Sequence, residues 1–440
     1  MSAPPTGKLA RSGVAGLALA QAGVARIGRQ ARKMTLGADA QAAAQEKFEA
    51  DLGRIMFRAL NQLKGTALKV SQLLSAHADF LPLAVRTELA KGNYQVTPLN
   101  RALVQKVFRS EFGQPPEKLF ATFDPAACAA ASLGQVHYAT LNDGSEVAVK
   151  VQYPGIGSSI NSDLRMLRGM LDTLGPGTGL MPPAALVDQM MAEVAHKLGE
   201  ELDYEHEAAQ LAWFRERVTL PGIVIPKPYP QQSSRRVLTM ERLDGLHLDR
   251  WLATHPDQPT RDRAGQLVLD WFFHSLFELG RVHADPHPGN FLFLPDGRLG
   301  VLDFGCTQTI SPGFLDILAR AWNALLHGGS SRDIRLAYVE LGVISEALSQ
   351  EQFDTELLPA MTPIVNWQLE PFRASPFDFA TRSTAPVPDR QSAATLASFS
   401  AGMHPDLPYF DRAYAGIMHM LTALGANVAT TNQWIRVQDA

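Results

Sequence analysis

The spacing of hydrophobic residues changes several times along the chain and predicts alternating helical and β-rich segments. Apolar residues recur with a period near 3.6 over 45–112, which predicts helix, and short β-like runs follow over 118–152. Helical periodicity returns over 160–174 and 184–217, and two further strands are predicted in "GIVIPKPY" and "RRVLTMERL". After Leu243 the pattern is mostly helical, except for one hairpin and a Pro/Ser-rich loop over 370–392.

Two turn signals define hairpins within these patterns. Asn142-Asp143-Gly144 separates "GQVHYATL" from "SEVAVKVQY", and Asp296-Gly297 separates "FLFL" from "LGVL". Asx-Gly pairs between apolar runs favour tight β-turns because glycine tolerates a positive φ. We therefore expect a hairpin in the β-rich segment and a second one within the helical segment.

Composition and charge narrow the class of protein. The chain has 440 residues, of which 46% are hydrophobic and 19% charged, so it can form more than one domain with a core. A net charge of −4 argues against a broad nucleic-acid-binding surface. The two cysteines, Cys128 and Cys306, are typical of a reducing compartment, and we find no apolar stretch long enough to span a membrane. We therefore predict a cytoplasmic protein without a transmembrane segment.

The N-terminal residues 1–35 carry only positive charges, at Lys8, Arg11, Arg26, Arg29, Arg32 and Lys33. This segment could form an amphipathic helix on an anionic membrane surface, serve as a transit peptide, or remain an Ala-rich tail. The first alternative would place the protein at the periphery of a membrane.

The segment "HADPHPGNFLFLPDGRLGVLDFG" concentrates the polar groups that suggest chemistry. Asp285 and Asn290 have the spacing of D-x-x-x-x-N, and Asp303 begins D-F-G after the predicted hairpin. These spacings are typical of kinase catalytic loops, whose oxygen ligands suit magnesium and phosphates. The alternative is a metal clamp formed by His283, Asp285 and His287, but it leaves Asn290 and Asp303 without a role.

Further upstream, "VAVK" places Lys150 on a predicted strand, as a kinase requires for the α- and β-phosphates. Its expected glutamate partner would lie in the acidic segment "GEELDYEHEAAQLAWF", where Asp203 and Glu207 share one helical face. The pattern alone leaves that partner open.

Two features depart from ordinary protein kinases. The segment expected to cover the phosphates is "CAAASLGQVH", in which alanines replace glycines and only Gly134 remains. After "DFGCTQTISPGF" the chain enters a predicted helix, and no A-P-E motif follows. We therefore expect a stiffer phosphate-covering segment and no platform for peptide substrates.

As a set, these motifs resemble the UbiB/AarF-domain family of atypical kinase-like proteins over about residues 60–425. The matching segments are "LKGTALKVSQLLS", "AAASLGQVH", "VAVKVQYPGI", "SINSDL", "ELDYEHEA", "VLTMERLDG", "HADPHPGN" and "LDFG". The resemblance implies an α+β, two-lobed kinase-like fold that binds ATP and Mg²⁺, with a β-rich N-lobe and a helical C-lobe. It also implies a helical extension over the active site. Members support the biosynthesis of ubiquinone-type isoprenoid lipids, so lipid, a membrane surface and lipid-biosynthesis proteins are expected partners besides the nucleotide.

The resemblance also assigns roles to individual residues. Asp285, Lys150 and Glu207 are the implied catalytic residues, and Asn290 and Asp303 the implied metal ligands. The implied nucleotide contacts are Ala129, Ala130, Ala131, Ser132, Lys150, Glu241 and Leu243. The family's K-x-G-Q signature appears with serine in place of glycine, so Lys69 and Gln72 are expected to meet Glu201 and Asp203 and to restrict access to the site.

The predicted division of the chain follows from these assignments. It has a basic tail (1–44), a helical extension (45–117), an N-lobe (118–243) and a C-lobe (244–440). Two other functions remain open, namely a small-molecule kinase of the aminoglycoside- or choline-kinase type and a pseudokinase scaffold that binds nucleotide without turnover.

Overall fold

The structure of the protein is a computed structural model. It describes residues 100–131, 133–157, 184–399 and 401–431, together with positions 47, 50, 51, 53–55, 57, 58, 88, 164, 165, 168 and 169. The predicted basic tail and most of the predicted helical extension lie outside the described residues. The chain divides into two compact units. Unit 1 contains the described residues up to Ala209 and Pro228–Arg242, and unit 2 contains Gln210–Lys227 and the described residues from Leu243 onward. The four-part division inferred from the sequence stays a prediction.

Unit 1 is built on an antiparallel sheet in the order β1-β3-β4-β6, with β2 paired to the opposite end of β3. The strands are β1 (Thr122–Phe123), β2 (Ala129–Ala131), β3 (Gly134–Thr140), β4 (Glu146–Gln152) and β6 (Val237–Glu241). The intervening strand β5 (Ile223–Val224) belongs to unit 2. Side chains alternate along β4, so Val147, Val149 and Val151 face one way and are fully buried. They join a core with Val107 and Phe108 of helix α1 (Arg101–Phe112).

The predicted hairpin of the β-rich segment is present, with the Asn142-Asp143-Gly144 turn between β3 and β4. The glycine adopts φ +88°. The β-like region predicted over 118–152 begins with "KLFATF", and for this first run the prediction is only partly correct. Pro115 and Pro116 begin the one-turn helix α2 (Pro116–Leu119), because proline suits the first helical position, and only Thr122 and Phe123 enter the sheet.

The helical periodicity over 184–217 corresponds to two helices, α3 (Ala184–Glu201) and α4 (Tyr204–Arg217). Asp203 separates them, and its Oδ1 accepts hydrogen bonds from the backbone N–H groups of Glu205 and His206, each at 3.1 Å. An aspartate in this position satisfies the unpaired donors of a helix N-terminus. The boundary between the two units falls within α4.

Unit 2 contains the second predicted hairpin, which the structure forms from β8 (Phe291–Phe293) and β9 (Leu299–Val301). Strand β5 (Ile223–Val224) adds in parallel to β9 and ends just before Ile225-Pro226, so only two residues of "GIVIPKPY" are strand. A separate pair, β7 (Arg281–His283) with β10 (Thr307–Thr309), is antiparallel and was not predicted.

The remaining elements of unit 2 are mainly helices. They are α5 (Leu248–Leu252), α6 (Gln258–Phe273), α7 (Pro312–Leu326), α8 (Ser331–Glu340), α9 (Gln350–Gln352), α10 (Leu358–Leu369), β11 (Phe377–Asp378), α11 (Arg390–Phe399), α12 (Leu407–Leu424) and β12 (Asn427–Val428). The predicted loop over 370–392 contains β11 and short 3-10 turns, and β11 pairs with β12. Among the described helices, none combines the length and apolar character needed to cross a bilayer.

Candidate active site

The lysine predicted on a kinase-like strand lies in the middle strand of unit 1 and contacts the predicted glutamate. Lys150 Nζ on β4 lies 2.9 Å from both carboxylate oxygens of Glu207 on α4. The two residues are 6% and 2% exposed, respectively, and the ammonium group also lies 4.9 Å from the ring centroid of Tyr204. Of the acidic residues that the sequence left open, Glu207 is therefore the one that holds this lysine.

The burial of the Lys150–Glu207 ion pair indicates that the pair has a functional role. Removing two charges from water costs several kcal/mol per ion, and their attraction often only offsets that cost. A hydrophobic pair of similar volume could fill the same position at no loss of stability. A buried, hydrogen-bonded lysine and glutamate are therefore better explained by a function of the ammonium group than by stabilisation.

The predicted phosphate-covering segment forms the short strand β2 beside β3. Ala129 and Ala130 are exposed and Ala131 is half-buried, so the first two do not pack beneath the sheet. Gly134 has a different role, because a Cβ there would lie 2.4 Å from the carbonyl oxygen of Val151 and 2.9 Å from the hydroxyl of Tyr204. This glycine permits the close approach of β3 to its neighbours.

The other predicted residues of unit 1 occupy the ends of elements. Glu201 is the last residue of α3, Asp203 caps α4, and Glu241 ends β6. Leu243 follows in unit 2, where it packs against Gly300 of the hairpin. Ser132, Lys69 and Gln72 lie outside the described residues, so the predicted contacts of the K-x-x-Q segment remain predictions.

In unit 2, the unpredicted β7–β10 pair holds the polar loop and the D-F-G segment together. Strand β7 ends at His283 and leads into the loop, while β10 begins at Thr307, directly opposite His283 in the pairing register. The Nε2 atom of His283 also hydrogen-bonds to the backbone carbonyl of Asp303. The ring of Phe304 is fully buried against His283, Phe214 and Trp271. His283 thus joins the two segments as a structural group.

Asn290 and Asp303 flank the hairpin at its open end. Asn290 donates from Nδ2 to the backbone carbonyl of Asp285 at 2.8 Å, and its own carbonyl accepts from the Leu302 N–H at 2.9 Å. The Oδ1 atom of Asp303 accepts from the Gly305 N–H at 2.9 Å. Because its amide nitrogen is engaged, Asn290 presents its side-chain oxygen as the available ligand atom. Amide and carboxylate oxygens are the donors that magnesium prefers, so this pair fits the expected ion.

The metal clamp considered for His283, Asp285 and His287 does not form. His283 binds a backbone carbonyl, and His287 is exposed and accepts a hydrogen bond at Nδ1 from the Gly289 N–H. Throughout the part of the chain that the structure describes, no three His, Cys, Asp or Glu side chains are arranged to hold a metal ion.

Two residues of helix α12 contact the loop and were missed in the sequence. Arg412 Nη2 lies 2.7 Å from Oδ1 of Asp285, and both side chains are about one-quarter exposed, at 24% and 28%. One turn later, a Cβ on Gly416 would lie 2.5 Å from Cγ of Pro286, so the glycine allows the helix and loop backbones to approach. Nothing in the sequence links these positions to a loop so distant along the chain.

Comparison with known proteins places these features in a family. Residues 91–335 match the model of the ABC1 atypical kinase-like domain. The atypical kinase COQ8 of Saccharomyces cerevisiae mitochondria is 28% identical over 382 residues, which cover 84% of this chain and 72% of the relative. An uncharacterized protein of Synechocystis is 34% identical over 254 residues, but the chain covers only 37% of that relative.

A solved structure agrees with these sequence relatives. The structure titled as the Rv3197–erythromycin complex from Mycobacterium tuberculosis is 27% identical and matches with a TM-score of 0.60. The match covers 89% of this chain and 95% of that one, which confirms the α+β, two-lobed kinase-like fold. The chain belongs to the ABC1 atypical kinase-like family, and its motifs were therefore correctly identified as those of UbiB/AarF-domain proteins.

Proposed function

We propose that the protein binds magnesium ATP and acts as an atypical kinase or ATPase that supports the biosynthesis of a ubiquinone-type isoprenoid lipid. The observation that carries the proposal is the buried contact of Lys150 with both carboxylate oxygens of Glu207. Kinases use such a pair to hold the lysine against the nucleotide phosphates. The lipid pathway rests on the resemblance to the UbiB/AarF-domain family, and the relative COQ8 is named an atypical kinase of mitochondria, which supports the kinase part of the proposal.

The roles of the unit 2 residues follow from their chemistry. When bound, magnesium would neutralise charge on the phosphates, and the side-chain oxygens of Asn290 and Asp303 are suited to hold it. Asp285 is the candidate base that receives the proton of the attacking hydroxyl or water. Arg412 contacts Oδ1 of Asp285 at 2.7 Å and would orient this carboxylate.

The direct test compares Asp303→Asn with Asp296→Asn in isothermal titration. Both variants remove a charge from the same hairpin region, but Asp296 lies at the exposed turn, beside Arg298. We expect Asp303→Asn to weaken magnesium-dependent ATP binding at least about tenfold, equivalent to roughly 1.4 kcal/mol, because it removes a charged ligand. Asp296→Asn should bind like the wild type, and equal affinity in all three proteins would refute the assignment.

Turnover distinguishes the remaining functions. ATP hydrolysis should be measured with and without vesicles that contain an isoprenoid lipid, and phosphate transfer should be measured to choline and to an aminoglycoside. Faster hydrolysis on the vesicles supports the proposed function. Transfer to choline or the aminoglycoside would instead identify a small-molecule kinase, and magnesium-ATP binding without turnover would identify a pseudokinase.

A further inference from the structure

Helix α12 brings a positive charge to the loop that carries the candidate base. Arg412 Nη2 lies 2.7 Å from Oδ1 of Asp285, and the two side chains are 24% and 28% exposed. The helix is packed firmly into unit 2, since Phe410, Tyr414 and Ile417 on its inner face are buried. An arginine on a packed helix is held in place before the reaction begins, which is the arrangement that electrostatic catalysis requires.

The loop itself supplies no positive charge at this position. Residues 285–290 read "DPHPGN" and contain neither lysine nor arginine. His287 accepts a hydrogen bond at Nδ1 from the Gly289 N–H, so its ring is uncharged in this arrangement. Lys150 is assigned to the α- and β-phosphates of the nucleotide. The γ-phosphoryl group therefore needs a cation besides magnesium and this lysine, and Arg412 lies beside the candidate base.

The repulsion between a carboxylate and a phosphate is what this arginine can offset. A general base lies about 2.6–3.2 Å from the oxygen whose proton it takes. That oxygen in turn lies about 3–3.5 Å from the atom that it attacks. The transferred phosphoryl group must therefore come close to Asp285, and two negative charges at such a distance repel each other.

The guanidinium group of Arg412 has donors enough for both anions. Its Nη2 atom makes the contact with Oδ1 of Asp285, whereas a guanidinium carries N–H donors on all three nitrogens. One carboxylate oxygen does not use them all. A planar group of this kind can bridge a carboxylate and a phosphate, because its donors point in fixed directions around the plane.

We propose that Arg412 is a catalytic residue that contacts the transferred phosphoryl group and stabilises its charge in the transition state. The inference rests on the proposed function. In the transfer, an oxygen of water or of an acceptor hydroxyl bonds to the γ-phosphorus, and the bond from that phosphorus to the β,γ-bridging oxygen breaks. ADP leaves, and Asp285 receives the proton of the attacking group. Arg412 donates to the phosphoryl oxygens while it holds the carboxylate of Asp285.

The first experiment separates nucleotide binding from turnover in the full chain. Arg412→Ala should lower ATP turnover about 100- to 1,000-fold, as expected when one donor to a transition-state charge is lost, and should change magnesium-ATP affinity less than about threefold. Guanidinium ion added to Arg412→Ala should restore part of the turnover. The matched control, Arg320→Ala, removes an arginine from an exposed ion pair with Glu340 in the same unit and should retain wild-type turnover.

A transition-state analogue tests whether the arginine acts on the phosphoryl group or only on Asp285. ADP with magnesium and fluoroaluminate imitates the phosphoryl group during transfer. Its affinity is compared between Asp285→Asn and the double variant Asp285→Asn, Arg412→Ala, because an arginine that only orients the carboxylate has no carboxylate to orient in this background. We expect the double variant to bind the analogue at least about tenfold more weakly, with equal affinity for ADP alone.

The outcomes separate this inference from the proposed function. Equal affinity of the two variants for the analogue, or turnover of Arg412→Ala within about threefold of an active wild type, would overturn the inference alone. If Arg412→Ala loses the wild-type circular dichroism spectrum, Arg412→Lys replaces it, and turnover should still fall at least about tenfold because lysine lacks the planar set of donors. A wild-type protein that turns over no ATP would refute the proposed function and this inference together.

Discussion

At the scale of single residues, the ion pair between Lys150 and Glu207 occupies the position expected of a kinase lysine and glutamate. Burying its two charges reduces the stability of the folded protein. Both side chains are more than nine-tenths buried. The carboxylate therefore compensates an ammonium group that water does not reach. Losing one partner of such a pair costs far more than the intact pair contributes, because the other charge stays buried.

We accordingly predict that Glu207→Gln lowers the free energy of unfolding of unit 1 by about 3 kcal/mol. Hydrogen exchange of the β4 amides measures this change locally. The control is Glu117→Gln, which removes the carboxylate from an ion pair with Arg101 whose side chains are 40% and 62% exposed. That variant should change stability by less than about 1 kcal/mol. If Glu207→Gln and Glu117→Gln lower the free energy of unfolding equally, burial does not determine the cost of losing the carboxylate.

Gly416 provides a second test at this scale. Gly416→Ala places a methyl group where Pro286 already lies, and so should displace the loop that carries Asp285 and Asn290. A shift of about 1 Å at a reacting group can reduce a rate by about two orders of magnitude. We therefore expect at least a tenfold loss of ATP turnover.

Gly313→Ala is the matched control, because a Cβ at that position in α7 meets nothing within 4 Å. It should retain wild-type turnover. If Gly416→Ala also does so, the close approach of α12 does not position the loop.

At the scale of elements, strand β3 is tied to the segment after β1 by a buried histidine. Nε2 of His137 lies 2.8 Å from the amide nitrogen of Gln135, and Nδ1 lies 2.8 Å from the carbonyl oxygen of Asp124. This pattern identifies the neutral ring, in which Nε2 accepts and Nδ1–H donates. Burial lowers the pKa of His137 below its usual value.

The lowered pKa predicts a dependence of stability on pH. Below a pH of about 6.5, the histidine of the unfolded chain binds a proton that the folded ring resists. Unit 1 should therefore keep its full stability above that pH and lose stability as the pH falls, until the folded ring also titrates. The slope approaches about 1.4 kcal/mol per pH unit at most.

Hydrogen exchange of the β3 amides at pH 7.5 and 5.5 checks this expectation. His137→Asn should show a smaller loss of stability between the two values than the wild type. His255→Asn should behave like the wild type, because His255 is exposed and its φ of 54° suits asparagine. If His137→Asn loses as much stability between pH 7.5 and 5.5 as the wild type, another titratable group causes the pH dependence.

The same scale shows what the sequence could predict. The hairpin at Asp296-Gly297 was predicted because its turn chemistry and its apolar strands are local. Strands β7 and β10 were missed because each has three residues, too few for a periodic pattern, and because they pair across 24 residues between Thr307 and His283. Likewise, the break at Asp203 depends on one capping side chain within otherwise continuous helical periodicity.

At the scale of the whole molecule, the family could be identified from short sequence motifs, whereas the contacts of helix α12 are seen only in the folded structure. Lys150, Asp285, Asn290 and Asp303 could be identified because each lies in a short motif. Arg412 belongs to no such motif, and its contact with Asp285 follows only from the packing of unit 2.

One whole-molecule prediction concerns access to large substrates. We expect the purified protein to phosphorylate generic peptides far below ordinary kinase rates, which are roughly 1–100 s⁻¹, because no A-P-E motif follows Asp303. The double variant Lys69→Ala, Gln72→Ala should increase peptide phosphorylation if those side chains restrict access. A radiolabelled phosphate assay on both proteins decides the matter, and ordinary kinase rates in the wild type would exclude such a restriction.

The contact of Arg412 with Asp285 also has a consequence for biosynthesis. The two residues are 127 positions apart, so the arginine is translated long after the loop that it contacts. At about 5–20 residues per second, the ribosome needs roughly 6–25 s to cover that distance. Throughout this interval the nascent chain carries Lys150 and Glu207, and it gains the D-F-G segment early in it, but it does not yet contain the arginine. The loop can acquire its complete set of contacts only after helix α12 has been synthesised.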